Sequence, residues 1–319
     1  MGTAIAMHAA RLGHDVRLWA NPHDDEVLRH LRGAGRHPRL GEHLPASLAI
    51  HGPDELDAAA ADAEIAVMGA NSHGARSLAR MVAGSVKGVH TVVSLAKGME
   101  PDSRRRMSEV YGDELPWAGI VAVGGPCLAA ELAGGQPTAG VWASRDIAVA
   151  RAAGASFDHR TYQLVYTDDI AGLELSATMK NVAAIGLGML DGIGAATGED
   201  FKNAKAALFT KAAHEIVELV VAVGGRADTA LGLAGVGDQL VTSIGGRNRL
   251  YGEMVGAGDP PDETLTELEG RGLTVEGVDS TRDVMAIAAR HGLDLPFHAA
   301  VHRVLFDDAD PRDILEVLR

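Results

Sequence analysis

Strand-like and helix-like stretches alternate from the N-terminus to about Asp169, and after that point no strand signal occurs. Short β-branched runs bounded by Gly, Asn or Pro read as strands, whereas long Ala/Leu/Val runs read as helices. Such alternation calls for parallel strands joined by crossover helices. Residues 1–168 are therefore expected to form an α/β domain built on a doubly wound parallel sheet, and residues 169–319 an all-α domain. Length points the same way, because 319 residues exceed what one ordinary core supports.

Met1 to Gly13, MGTAIAMHAARLG, opens as a helix of small residues, and Asp15 to Ala20 follows as a buried strand. A small-residue helix after a glycine and before a strand is the second half of a strand, glycine-rich turn, helix, strand unit that cradles dinucleotide phosphates. Gly2 takes the place of the third glycine of G-x-G-x-x-G; the first two, and the strand before them, would precede Met1. In such units an acidic residue about 20 positions on takes the ribose hydroxyl, and an Arg there accommodates a 2′-phosphate. Here the second strand runs into Asn21-Pro22-His23-Asp24-Asp25, with no Arg between Asn21 and Leu28, which leans toward NAD over NADP. The two aspartates equally suit the positive end of a helix dipole.

Further strands are read at Ala63 to Gly69, Thr91 to Lys97, Ala118 to Val123, Thr138 to Ser144 and Gln163 to Thr167. Ligands in open parallel sheets bind at the carboxyl ends of strands. Lys97, followed by Gly98, is thus placed to meet a phosphate or a reacting carbonyl; the alternative is a solvated surface lysine. Gly124-Gly125-Pro126-Cys127 before LAAELAGG allows close backbone approach and offers helix N–H groups to an anion.

In the helical half, Glu174 to Gly194 carries a single lysine, Lys180, followed by Asn181, among apolar and small residues. Ser176, Lys180, Ala183 and Ala184 share a helical face, so a ligand or a backbone can come close to the ammonium. Burial disfavours the charged form and brings a lysine toward the range where it exchanges protons. The competing reading is a lysine whose stem reaches for water. Two more polar clusters follow: Gly235-Val236-Gly237-Asp238 sets a carboxylate in a glycine turn, and Gly245-Gly246-Arg247-Asn248-Arg249 sets guanidinium groups behind a flexible pair, suited to gripping phosphate. Gly256 to Glu263 reads as a loop. Forty-three acidic against 29 basic residues, a net charge of −14, argue against nucleic acid as partner. The lone Cys127 fits a reducing compartment, and apolar runs break before about 18 residues, so no membrane-spanning helix, no signal peptide and a cytoplasmic location are expected.

Seven motifs in order, LAKGME from Leu95, GGPCLAAELAGGQPTA from Gly124, MKNVAAIGLGMLDGIG from Met179, NAKAALFTKAAHEI, LAGVGDQLVTS, GRNRLYGEMVGAG and VEGVDST around Glu276, resemble the NAD(P)-dependent glycerol-3-phosphate dehydrogenase family from Gly2 almost to the C-terminus. The resemblance implies a Rossmann-like domain followed by a helical one, and a homodimer. The implied reaction interconverts dihydroxyacetone phosphate and sn-glycerol 3-phosphate, a glycerophospholipid precursor, with NAD or NADP and no metal. It implies Lys180 as proton donor and acceptor, Lys97 as a second active-site lysine and Asp238 as the carboxylate near it. Arg247 and Asn248 would grip the phosphate, Gly125 and Asn181 would contact substrate, and Gly2, Asn21, Lys97, Ala129, Arg247 and Glu276 would lie on the cofactor side.

Cys127 and Gly246 stand where the family commonly has a hydroxyl residue, which keeps a related keto-phosphate in view as substrate. The incomplete fingerprint keeps a non-catalytic nucleotide-binding scaffold in view as well. The absent strand would be a central one, so Met1 is expected to be internal to a natural protein beginning roughly 10 residues upstream. The chain as given is expected to bind cofactor poorly or to fold poorly.

Overall fold

The computed structural model describes residues 1–319 and forms seven strands. They are β1 (Arg17–Trp19), β2 (Ala49–His51), β3 (Ile65–Met68), β4 (Thr91–Ser94), β5 (Gly119–Gly124), β6 (Thr138–Ala143) and β7 (Tyr162–Thr167). Helices α1 (Gly2–Arg11), α2 (Asp25–Ala34), α3 (Leu56–Ala60), α4 (Ala75–Val82), α5 (Met107–Glu114), α6 (Ala129–Ala133) and α7 (Ile147–Gly154) separate them. β1 is half-buried rather than buried. β2 had no reading from sequence, because three residues are too few to show a period.

The strands form two sheets. β1 pairs in parallel with β2, and the rest stand in the order β3-β4-β5-β6-β7. No ladder joins β1 to β3. Pairing is parallel from β3 to β5 and between β6 and β7, but β5 and β6 are antiparallel, which corrects the expectation of a wholly parallel sheet. The connection, residues 125–137 with the five-residue α6 inside it, enters β6 at the same end of the sheet at which β5 leaves.

Successive residues of β4 supply opposite faces, as a pleat requires. Val93 packs with the α1, α6 and α7 side. Val92 packs with α4 and α5 on the other. Both valines are fully buried, and each contributes about 1.5–3 kcal/mol by leaving water. The carboxyl ends of β3, β4 and β5 carry Gly69, the Leu95–Glu100 loop and Gly124-Gly125.

The chain divides into two compact units, Met1–Ile170 and Ala171–Arg319. The second is helical: α8 (Ile170–Thr197), which starts on the boundary, then α9 (Lys202–Ala222), α10 (Ala227–Leu231), a π turn (Leu233–Gly237), α11 (Asp238–Ile244), α12 (Arg247–Ala257), α13 (Pro261–Gly270), α14 (Glu276–His291), α15 (Pro296–Phe306) and a closing 3-10 stretch (Pro311–Leu318). The loop read at 256–263 shrinks to Gly258–Pro260, since α12 runs on to Ala257 and Pro261 begins α13.

α8, 28 residues long, spans about 42 Å and packs directly on the backbone of α12. A Cβ on Gly188 or Gly192 would lie 2.3 Å from the Arg249 carbonyl oxygen or 1.9 Å from that of Glu253. In return, a Cβ on Gly252 or Gly256 would lie 2.0 Å from the Ile185 oxygen or 2.1 Å from that of Met189. Glycine at four-residue spacing on both helices thus lets the two backbones touch, and this fixes Lys180 and Asn181 on α8 relative to Arg247 and Asn248 on α12.

Candidate functional site

Within the second unit, four elements converge on Lys180. Its side chain leaves α8 two turns before the glycine contact and is 7% exposed, so the water-seeking reading does not describe it. Nζ lies 3.2 Å from Asp238 Oδ1 and donates to Thr242 Oγ1 at 2.9 Å. Thr242 in turn donates to the Asp238 carbonyl at 2.7 Å, the bond open to a threonine one turn along a helix. The π turn before Asp238 closes with Gly237 N–H donating to Gly232 O at 3.1 Å, and it delivers Asp238 as the first residue of α11. Such turns recur at functional sites. Asp238 is 1% exposed, and a carboxylate this close favours the charged ammonium. Thr242 is not among the residues that the sequence singles out; it joins the site only through its place one turn after Asp238 on α11.

Next to the lysine, Asn181 Oδ1 accepts from Asn248 Nδ2 at 2.9 Å, and Asn248 Oδ1 accepts from Gly277 N–H at 2.9 Å. A side chain on Gly277 would collide with Asn248 and Ile185, so glycine is what lets α14 begin here. Arg247 opens α12, with its guanidinium 44% exposed and 4.0 Å from Glu276, the first residue of α14. Gly246 has φ +103°, a backbone that a serine adopts only with strain, which is the physical reason for the glycine at that departure. Arg249 binds Asp191 at 2.8 Å, and Lys205 holds the same carboxylate, bracing α12 against α8 and α9.

In the first unit, Lys97 Nζ donates to the Gly125 carbonyl at 3.1 Å. Gly125 has φ +97°, and a side chain there would press on Gly140. The Lys97 loop is held further along. Arg76, the second residue of α4, grips Glu100 with both arms, Nη2 to Oε2 at 2.9 Å and Nε to Oε1. This fork holds the Glu100 carboxyl down at about 2. A carboxylate depressed from 4.5 contributes stability that is complete above pH 4.5 and fades as pH falls from there through about 2. Urea midpoints of the wild type and Glu100→Gln should therefore differ by the same amount at pH 7 and pH 5, and draw together below pH 4.5; a gap that persists at the acid end would contradict this linkage.

Gly2 stands at the amino end of α1, and a Cβ on Gly69, just past β3, would meet the Gly2 Cα at 3.4 Å. Gly2 and Gly69 thus bring the start of α1 against the carboxyl end of β3. Ala129 begins α6, whose far end is tied to α1 by Arg11 donating to the Ala133 carbonyl. Asn21 is engaged locally, its amide donating to Asp24 and its oxygen accepting from the His23 N–H. Burial raises the Asp24 carboxyl above its usual range. Cys127 is buried in the core between α1, β5 and α6, beside Tyr162, so its thiol serves packing.

Comparison with known proteins fits this geometry. The family model described as NAD-dependent glycerol-3-phosphate dehydrogenase N-terminus matches residues 1–150, and its C-terminus counterpart matches residues 169–316. The NAD(P)+ glycerol-3-phosphate dehydrogenase 2 of Salinibacter ruber is 36% identical, covering 99% of this chain and 91% of its own. That of Acidobacterium capsulatum is 35% identical, covering 99% and 94%. Among solved structures, glycerol-3-phosphate dehydrogenase from Coxiella burnetii superposes with a TM-score of 0.86 at 28% identity, covering 99% and 94%.

Proposed function

This chain belongs to the NAD-dependent glycerol-3-phosphate dehydrogenase family, and from that premise we propose that it interconverts dihydroxyacetone phosphate and sn-glycerol 3-phosphate. The observation that carries the proposal is the buried Lys180 ammonium held by Asp238 and Thr242 beside Asn181 and Asn248. NAD or NADP, when bound, supplies and takes the hydride. In this reading Gly2, Asn21, Lys97, Ala129, Arg247 and Glu276 are the residues on its side.

Charge grows on the carbonyl oxygen as the ketone is reduced, and a cation already in place lowers that barrier. Lys180 gives its Nζ proton to this oxygen and takes it back in the reverse direction, a role normally contributing about 10²- to 10⁴-fold. Asp238 and Thr242 keep Nζ charged and aimed. Lys97, set by the Gly125 carbonyl, is the second substrate lysine. Arg247 and Asn248 take the phosphate, which turns binding energy into orientation of the carbonyl. The family resemblance is what supports a homodimer. No helix is long and apolar enough to cross a membrane, and the single cysteine supports a cytoplasmic location.

The test is nicotinamide cofactor oxidation with dihydroxyacetone phosphate beside dihydroxyacetone. Loss of the phosphate should lower kcat/KM by at least about 10³-fold, since a phosphate held by charged donors provides several kcal/mol of orientation. Equal rates with both ketones would remove the phosphate grip from the proposal.

A further inference from the structure

We propose that Arg76 and Glu100 are a positioning pair that sets Lys97 for substrate, an inference that rests on the reading of Lys97 as a substrate lysine. Lys97 lies three residues past the last residue of β4 and three residues before Glu100. The strand ladder fixes one side of this short loop. On the other side, the two-armed Arg76–Glu100 contact fixes it by geometry as well as charge. Between them, Gly98 lies against Ser72, whose hydroxyl would sit 3.0 Å from any Cβ placed there. Ser72 and Arg76, one helical turn apart in sequence, thus hold Gly98 and Glu100 from the same side.

Arg76 is itself held. Nη1 binds Glu114, the last residue of α5, at 2.6 Å, with Asp113 at 3.5 Å. Arg80 shares Glu114 and Arg105 shares Asp113, so each carboxylate has two guanidinium neighbours. The Arg76 and Glu100 side chains are only 22% and 15% exposed. Exposed single ion pairs hold geometry poorly; a forked, half-buried pair in a network anchored on two helices holds it well. Glu100 also has its backbone fixed, its N–H donating to Arg105 O at 2.9 Å and its carbonyl accepting from Arg104 N–H at 3.0 Å. These backbone bonds hold the main chain at Glu100, and the fork adds the hold on its side chain; loss of Arg76 should loosen the loop that carries Lys97, and with it the Lys97 bond to Gly125.

The test is a double-mutant cycle on the full chain, with dihydroxyacetone phosphate as substrate. Variants are Lys97→Ala, Arg76→Ala, Glu100→Gln and the two doubles with Lys97→Ala, with Arg76→Lys as the conservative variant. Arg76→Ala and Glu100→Gln should each lower kcat/KM by roughly 10- to 100-fold, the scale of a misplacement of about 1 Å. In the Lys97→Ala background the same changes should cost less than about 2-fold, because the group they position is gone. Arg76→Lys, which keeps the charge and loses the fork, should fall between wild type and Arg76→Ala. Hydrogen exchange gives a readout independent of turnover: amides 95–100 should exchange faster in Arg76→Ala, while those of β5 stay protected. Full additivity with Lys97→Ala, or wild-type kinetics in Glu100→Gln, would overturn the positioning role. Wild-type kinetics in Lys97→Ala would instead overturn the underlying reading of Lys97, and the inference with it.

Discussion

Replacing Lys180 by Ala should lower kcat/KM for dihydroxyacetone phosphate by roughly 10³-fold, within the range of a lost proton donor, and should also destabilise the fold. The second effect follows from burial. The ammonium stands 3.2 Å from a carboxylate that is 1% exposed, and removing one partner of such a pair costs about 3–5 kcal/mol. The two effects separate in Lys180→Met/Asp238→Asn. Exchanging both charges for neutral groups of similar size should recover most of the stability, since a buried pair contributes little net once both members go. Activity should stay lost. Urea denaturation and initial rates on the single and double variants check this, and a double variant that regained turnover would remove Lys180 from the chemistry.

The other large effect should come from the contact between α8 and α12. Gly192→Ala would bring a methyl to 1.9 Å from the Glu253 carbonyl oxygen, and Gly252→Ala to 2.0 Å from that of Ile185. Both obstacles are backbone, so no rotamer change relieves them. The helices must move apart by more than 1 Å, and each substitution should cost about 3 kcal/mol or more, the upper end of overpacking. Activity should fall as well, because the separation draws Asn248 away from Asn181. Gly270→Ala is the control. It sits in a helix with open space around it, and should be neutral or stabilising by up to about 1 kcal/mol. Denaturant midpoints decide the matter; a Gly192→Ala protein as stable as the Gly270→Ala protein would mean that the helices are not held in contact.

Much of this arrangement could be read from residues in order. Lys180 stands out because a single cation in a run of small and apolar residues needs a partner, and Asp238 stands out as a carboxylate directly after the Gly235-Val236-Gly237 turn. The residues alone do not show the partnership, since the two are 58 positions apart and only the packing of α11 against α8 joins them; the family resemblance is what sets Asp238 near an active-site lysine. Thr242 left no trace of its own, as a threonine inside a helix is ordinary. Each pair of glycines on α8 and α12 has a visible four-residue spacing, yet which helix each pair meets is a tertiary fact. Arg76 and Glu100 look like surface charges in sequence, and only the fork makes them otherwise. The antiparallel direction of β6 is a tertiary fact that a pattern of strand and helix does not encode.

The central claim is the reaction, and its most direct measurement is the product formed by the purified chain from dihydroxyacetone phosphate with NADH or NADPH, resolved by chirality. The expected product is glycerol 3-phosphate of the sn configuration alone, formed in step with cofactor oxidation and slowed roughly 10³-fold by Lys180→Ala. Cofactor oxidation without glycerol 3-phosphate, or a racemic product, would contradict a site that holds the carbonyl with one face to the hydride.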